Sequence, residues 1–450
     1  MVTEKILHNA TDLELELTWF KEILKTRSAL NANKETPYQH VQEIDPPYFN
    51  GSQSGFAQFI RKHELNFEER FIMVLALVPH VKPELLDAFL VKNNMTQKIY
   101  TEFGGKIGKD HTGFLPTGET AMFILAGSDL SKRFYLQRLF ENGHIFAKES
   151  ILWLEDVNAG EPFLSGALNI SQELLDLFTT GEIRKPIFSQ QFPARLLTTK
   201  MEWGDLVLPN AVRNRILEIE TWLHHNQELM EDWGMARKLK PGYRALFYGP
   251  PGTGKTLTAS LIGKRIGSDV YQIDLSKVVS KFIGETEKNL SRIFDRAENK
   301  DWILFFDEAE ALFGKRTSVN DAHDRYANQE VAYLLQRIED YNGLVILATN
   351  LKSNLDDAFT RRFQTMVHFP VPKPEERMKL WQKGFPEVTE LEARIDLREI
   401  SRKYELAGGS IVNIVQYCSL MALKRQDRTI KLQDLTEGVR REFHKSGMTL

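Results

Sequence analysis

GPPGTGKT, Gly249 to Thr256, follows the apolar run ALFY (Ala245 to Tyr248) and precedes a helical pattern. Glycines at this spacing let successive backbone N–H groups converge on phosphate oxygens, and the positive end of the following helix adds to the field. Between a strand and a helix, the stretch reads as a phosphate-binding loop, with Gly249, Pro250, Pro251, Gly252, Thr253, Gly254, Lys255, Thr256 and Leu257 as its nucleotide-binding set. Lys255 is placed to reach the β- and γ-phosphates, and Thr256 to offer a hydroxyl to Mg²⁺. A chance Gly/Pro turn is the alternative; a match at every position, in the right setting, leaves it little room.

Around this loop, short apolar runs alternate with helical patterns: VYQID (Val270 to Asp274), ILFF (Ile303 to Phe306), LVILA (Leu344 to Ala348) and TMVHF (Thr365 to Phe369). Alternation of this kind predicts a parallel sheet covered on both faces. ILFF runs directly into Asp307 and Glu308. One carboxylate there suits the metal and the next suits the attacking water, which makes Asp307 a metal ligand and Glu308 a general base. A helix cap is the plainer reading of such acids, and Glu310 also fits it. LATN ends its strand at Asn350, a short amide able to orient water against a γ-phosphate or simply to turn the chain. Arg361 and Arg362 are an exposed basic pair in isolation. At their distance from Asn350 they suit guanidinium groups that neutralise transition-state charge on a neighbour's nucleotide.

GPPGTGKT, ILFFDEAEALFGKR, LATN and the arginine pair, in this order, resemble an AAA+ ATPase from about Trp203 onward. The resemblance implies a five-stranded parallel sheet with a C-terminal helical lid, and a ring, commonly a hexamer, with ATP sites between subunits. It implies ATP and Mg²⁺ as ligands and ATP hydrolysis to ADP and phosphate as the reaction. MEWGDLVLP (Met201 to Pro209) resembles the segment beside the adenine, which makes Val207 a base contact. LAGGS (Leu406 to Ser410) resembles the lid element facing the phosphates but carries no arginine there, as in the protein-remodelling branch. SKFIGETEKNL (Ser280 to Leu290) stands where such rings carry an axial pore loop, so Lys281, Phe282 and Ile283 would face the channel. Phe282 packed against its own domain is the competing reading. The stretch from Gly314 to Phe363, with the N-terminal FEERFIMVLAL and TGFLPTGETAMFILAG, is similar to the AAA ATPases encoded with phage-tail-like contractile injection particles. His323, Asp324 and Arg325 then suit either a second pore loop or a charged helix start.

The rest of the chain contains no catalytic constellation. Apolar spacing predicts helices over Thr11 to Ser28, Phe67 to Leu77 and Pro83 to Val91, and Thr117 is placed to cap another after a glycine-rich loop. The expected division is a mainly α, partner-recognising domain over 1–200, a nucleotide-binding α/β domain over 201–372 and a helical lid over 373–450, with a linker near Phe188 to Lys200. With 42% hydrophobic and 26% charged residues, the 450-residue chain has the composition of a globular protein. Cys418 is its single cysteine, so no disulfide forms within the chain. The acidic start and the short apolar runs predict a cytoplasmic protein outside the membrane. Three functions compete: an ATP-driven ring acting on protein clients through pore and N-terminal domain; a nucleic-acid-associated loader or helicase-like factor; a nucleotide-gated scaffold. A net charge of −3 without a basic aromatic stripe counts against nucleic acid, and an intact Glu308 counts against the scaffold.

Overall fold

A computed structural model describes residues 3–94, 97–108, 110–186, 188–189, 192–275, 285–298, 300–310, 322–350, 360–445 and 447. The chain divides into two compact units, Met1–Lys185 and Pro186–Leu450.

The first unit is mainly helical. Its longest helix, Glu4–Asn31, overruns the predicted Thr11 to Ser28 at both ends and buries Leu13, Leu17, Trp19, Phe20 and Ile23. Beside it lies Phe67–Val81, opened by a capping box between Asn66 and Glu69. Every residue from Phe71 to Val78 is fully buried, so the helix continues through Pro79 where the sequence predicted an end near Leu77. Burial also permits one ion pair in this core: Arg70 holds Glu16 by a two-pronged contact and donates to the Pro47 carbonyl. The expected helix over Pro83 to Val91 is instead a 3₁₀ helix, Pro83–Leu90. Thr117 caps Gly118–Ala126 by accepting from the Thr120 N–H, as predicted. The preceding glycine-rich loop is a small hairpin of Lys106–Ile107 with Phe114–Leu115. Gly105 has φ +82°, and a Cβ there would stand 2.1 Å from the Phe114 ring, so this glycine serves packing.

The second unit is built on one six-stranded sheet. In chain order its strands are β1 (Arg195–Leu197), β2 (Tyr243–Tyr248), β3 (Val270–Asp274), β4 (Ile303–Asp307), β5 (Leu344–Thr349) and β6 (Thr365–His368). They lie in the order β6-β2-β5-β4-β3-β1. β2 to β6 are the five parallel strands expected, and β1 adds an antiparallel edge against β3. This strand falls in the stretch assigned to a linker. It draws residues after Pro186 into the second unit, so the first unit stops short of the expected boundary at 200.

Side chains along each parallel strand alternate between two apolar cores. Leu246, Leu304, Phe306, Val345 and Leu347 enter one with Ile293, Phe294 and Leu334. Ala245, Phe247, Ile303, Phe305 and Ile346 enter the other with Ile216, Ile219 and Ile262. The flanking helices are α1 (Asn210–Gln227), α2 (Lys255–Ile266), α3 (Glu285–Ala297) and α4 (Ala322–Asp340). A separate cluster around Trp381, Ile411, Ile414, Cys418 and Val439 holds the C-terminal helices α5 (Pro374–Gly384), α6 (Leu397–Lys403), α7 (Gly408–Lys424) and α8 (Leu432–Lys445). Among the described residues no helix is long and apolar enough to cross a membrane.

Candidate functional site

β2 delivers the chain into the loop Gly249–Gly254, and α2 starts at Lys255. Gly249 takes φ +143°, and a Cβ on it would lie 2.1 Å from the Phe369 carbonyl oxygen just beyond β6. Gly254, at φ +100°, precedes the first turn of α2. Both positions need a residue without a side chain, because the loop turns tightly over the sheet edge before presenting its N–H groups.

A cavity of about 470 Å³ opens over this loop. Pro251 to Leu257 form one wall, with Asp307, Glu308 and Asn350 at the ends of β4 and β5. Leu206, Val207, Leu208, Pro209, Leu380 and Val412 add apolar lining, with Asp205 beside them. A phosphate loop at a helix N-terminus and an apolar lining in one cavity fit a nucleoside polyphosphate in size and chemistry.

Lys255 is buried, and its ammonium donates to the Gly249 carbonyl at 2.7 Å, the Pro250 carbonyl at 3.0 Å and Asn350 Oδ1 at 2.9 Å. Burial pushes its pKa below the ordinary lysine value, while the charges of Asp307 and Glu310 act in the opposite direction. Asp307 accepts from Gln272 Nε2 at 2.8 Å and from the Glu308 N–H at 3.0 Å, one bond on each oxygen. A carboxylate with lone pairs left on both oxygens, in a cavity that Thr256 also lines, fits a hydrated divalent cation.

Glu308 is exposed in the cavity with φ +53°, a left-handed backbone unusual for a residue with a side chain. The next N–H, on Ala309, donates to the Ala348 carbonyl at 3.0 Å, so the chain turns at Glu308 while staying bonded to β5. Such strain costs about 1–3 kcal/mol and is found where geometry matters more than local comfort. Asn350 is held at both ends. Oδ1 accepts from Lys255, while Nδ2 and the backbone N–H donate to Glu310 Oε1 at 3.1 and 3.4 Å.

The nucleotide set other than Gly249 and Pro250, together with Val207, Asp307, Glu308 and Asn350, thus lines one cavity, while Gly249 and Pro250 support it through their carbonyls. Arg361 and Arg362 are exposed and do not line it. Arg362 pairs with Glu339 on α4, and Glu339 also holds Lys240. Lys281, Phe282 and Ile283 lie outside the described residues. His323, Asp324 and Arg325 fall in the first turn of α4.

Sequence reading missed Gln272, took Glu310 only as a cap, and placed Gly409 in LAGGS without its contact. Gln272 carried a signal, a polar residue within the buried run VYQID. Glu310 was legible only as a cap, and its hold on Asn350 appears once β4 and β5 are neighbours. Gly409 donates from its N–H to the Gly252 carbonyl at 2.9 Å, so LAGGS touches the phosphate loop through backbone alone. Both glycines permit that approach, since a Cβ on Gly409 would come within 3.2 Å of Gly252 Cα.

Sheet order, loop and cavity define the second unit as a P-loop nucleotide-binding fold. Residues 245–371 match the family model described as "ATPase family associated with various cellular activities (AAA)", and this segment is an AAA domain. The chain is 34% identical over 209 residues to cell division protein C of Sulfolobus acidocaldarius, covering 43% of this chain and 55% of that protein. It is 32% identical over 188 residues to vacuolar protein sorting-associated protein 4B of Pongo abelii, covering 41% and 42%. A proteasome-activating nucleotidase of Methanococcus maripaludis is 30% identical over 240 residues, covering 52% and 57%. The chain spans about half the length of the curated relatives it matches.

Proposed function

We propose that this chain hydrolyses ATP and couples the reaction to remodelling, threading or assembly of protein clients within a ring. The observation that carries the reading is the convergence of Lys255, Thr256, Asp307, Glu308 and Asn350 on one partly apolar cavity. Loop N–H groups and Lys255 bind the phosphates. Thr256 and Asp307 would hold Mg²⁺, which neutralises phosphate charge when bound. Glu308 takes a proton from water as its oxygen bonds to the γ-phosphorus, and the bond from that phosphorus to the bridging oxygen breaks, leaving ADP. Asn350 fixes the line of attack. A proton transfer of this kind contributes about 10²–10⁴-fold in rate.

Among the described residues no arginine lines the cavity, which supports a ring with its ATP sites between subunits. Arg361 and Arg362 stand outside it, exposed, as groups acting on a neighbour's nucleotide would. Relatives named for cell division, vacuolar protein sorting and proteasome activation favour protein clients over nucleic acid. In this reading Lys281, Phe282 and Ile283 grip the client in the channel and the first unit selects it. The likeness to ATPases of contractile injection particles makes particle components the client proposed. The experiment is ATP turnover and nucleotide binding for Glu308→Gln and Lys255→Ala. Glu308→Gln is expected to bind ATP while losing about 10²-fold or more in turnover, and Lys255→Ala to lose binding itself. Near-normal hydrolysis by Glu308→Gln would end the assignment.

A further inference from the structure

The first unit carries an open groove of about 430 Å³, lined by Lys21, Leu24, Lys25, Ser28, Ala29 and Lys34 on one side. Leu85, Ala88 and Phe89 of the 3₁₀ helix line the other. The spacing 21, 24, 25, 28, 29 is one face of the helix Glu4–Asn31, so the wall is continuous over about two turns. In the 3₁₀ helix, residues three apart eclipse, which sets Leu85 and Ala88 on one side of the groove. Glu84 and Asp87 share the neighbouring face and do not line it. The floor is apolar: Phe89 is buried and Leu24 and Leu85 half-buried. The rim is of one sign. Lys21, Lys25 and Lys34 are exposed and form no ion pair among the described residues, and no acidic residue lines the groove. Among the described residues Lys21 is met only by the charge of Glu14 on its own helix, so three exposed cations around an apolar slot suit a partner of opposite charge.

We infer that this groove docks an acidic amphipathic helix of a client protein, with apolar residues at i, i+3 or i+4 and i+7 against Leu24, Leu85 and Phe89 and carboxylates facing the three lysines. The inference deepens the proposal that the first unit selects clients and rests on it.

The test uses the full chain and two synthetic, helix-stabilised peptides of identical apolar pattern, one flanked by Glu and one by Lys, with binding read by fluorescence anisotropy. The Glu peptide is expected to bind, to weaken with salt, and to lose at least about tenfold in affinity in Lys21→Glu/Lys25→Glu, since exposed ion pairs are replaced by repulsions. Ala88→Glu, at an exposed position, tests the apolar side with the same expected loss. Unchanged melting temperature and ATP turnover in these variants certify the fold. Equal binding of both peptides, or of the Glu peptide by wild type and variants, overturns the inference. So does binding of a single-stranded oligonucleotide or anionic vesicles, lost in the same variants, with no peptide binding. If the Glu peptide does not bind the wild type while full-length Glu308→Gln still binds ATP and loses turnover, the groove's role falls and the reading of the nucleotide site stands.

Discussion

Replacing Glu310 by alanine separates stability from catalysis in a way the geometry makes quantitative. Oε1 of Glu310 accepts two bonds from Asn350, at 3.1 Å from the amide and 3.4 Å from the backbone. Oε2 is buried and makes no hydrogen bond among the described residues. Losing bonds to a charged acceptor costs about 1.5–3 kcal/mol, but Asn350 is exposed and water recovers much of that. Removing a buried oxygen with no partner returns about 1–3 kcal/mol, so stability is expected to stay level or rise slightly. Catalysis does not recover in the same way. Lys255 still holds Oδ1 of Asn350 at 2.9 Å, so the amide does not flip, because a flip would set its NH₂ against an ammonium. It becomes loose about one contact where it was fixed by two. A misplacement on this scale is expected to cost about tenfold or more in kcat, with the KM for ATP changed less, because the phosphate loop loses no hydrogen bond and Asp307 still supports the Lys255 charge. Glu310→Gln keeps an acceptor and should recover most of the rate. The assay is steady-state ATP turnover beside thermal melting for the wild type and both variants. A melting temperature down by several degrees with kcat unchanged would refute the reasoning, since Glu310 would then be a fold residue with no hold on the site.

The remaining expectations concern assembly, the channel and the thiol. Alanine at Arg361 or Arg362 is expected to leave ATP binding intact and to reduce hydrolysis; mixing with Lys255→Ala subunits should restore part of it, and absence of rescue in co-assembled mixtures would point to a site complete within one chain. Of the two, Arg361→Ala should cost more turnover, because Arg362 is already engaged by Glu339, and the reverse order would reject that ranking. Phe282→Ala should leave folding and basal turnover nearly unchanged and abolish ATP-driven work on a client; a core phenylalanine would instead lose about 3–5 kcal/mol of stability. Cys418 is fully buried and its thiol is pushed up to about 12, by burial first and then by the charge of Asp434. Native protein at pH 8 should therefore resist alkylation, and rapid labelling without unfolding would contradict the packing around α7.

What the sequence disclosed follows the reach of each interaction. The phosphate loop is local: Gly249 and Gly254 supply backbone freedom where it is needed, and Lys255 and Thr256 follow within the same turn. The five parallel strands were legible because each carries a short apolar run that feeds the cores on the two faces of the sheet, even where a polar residue such as Gln272 interrupts it. β1 was not legible. Arg195–Leu197 has only Leu196 and Leu197 to mark it, both half-buried, and its pairing with Val270–Tyr271 depends on an edge that exists only once the sheet forms. The 3₁₀ helix at Pro83–Leu90 has the apolar content of an α-helix and buries Leu86 and Phe89, three residues apart, so composition does not separate the two windings.

The same distinction explains why the site's positioning groups were the hardest to read. Asp307 and Asn350 announce themselves as polar residues at the ends of apolar strands. Gln272 and Glu310 act on them across strands, through contacts fixed by the register that sets Gln272 opposite Phe305 and Phe306 opposite Leu347. Shift the β3–β4 register by one residue and Gln272 turns to the other face of the sheet, taking its bond with it; shift β4–β5 and Glu310, just beyond β4, is carried away from Asn350. The reacting groups therefore stand at strand ends, where sequence marks them, and their orientation is held by strand pairing, where it does not. A substitution that loosens the β3–β4 or β4–β5 pairing should degrade turnover before it degrades nucleotide binding, because the phosphate loop hangs from β2 and α2 and Asp307 and Asn350 hang from β4 and β5.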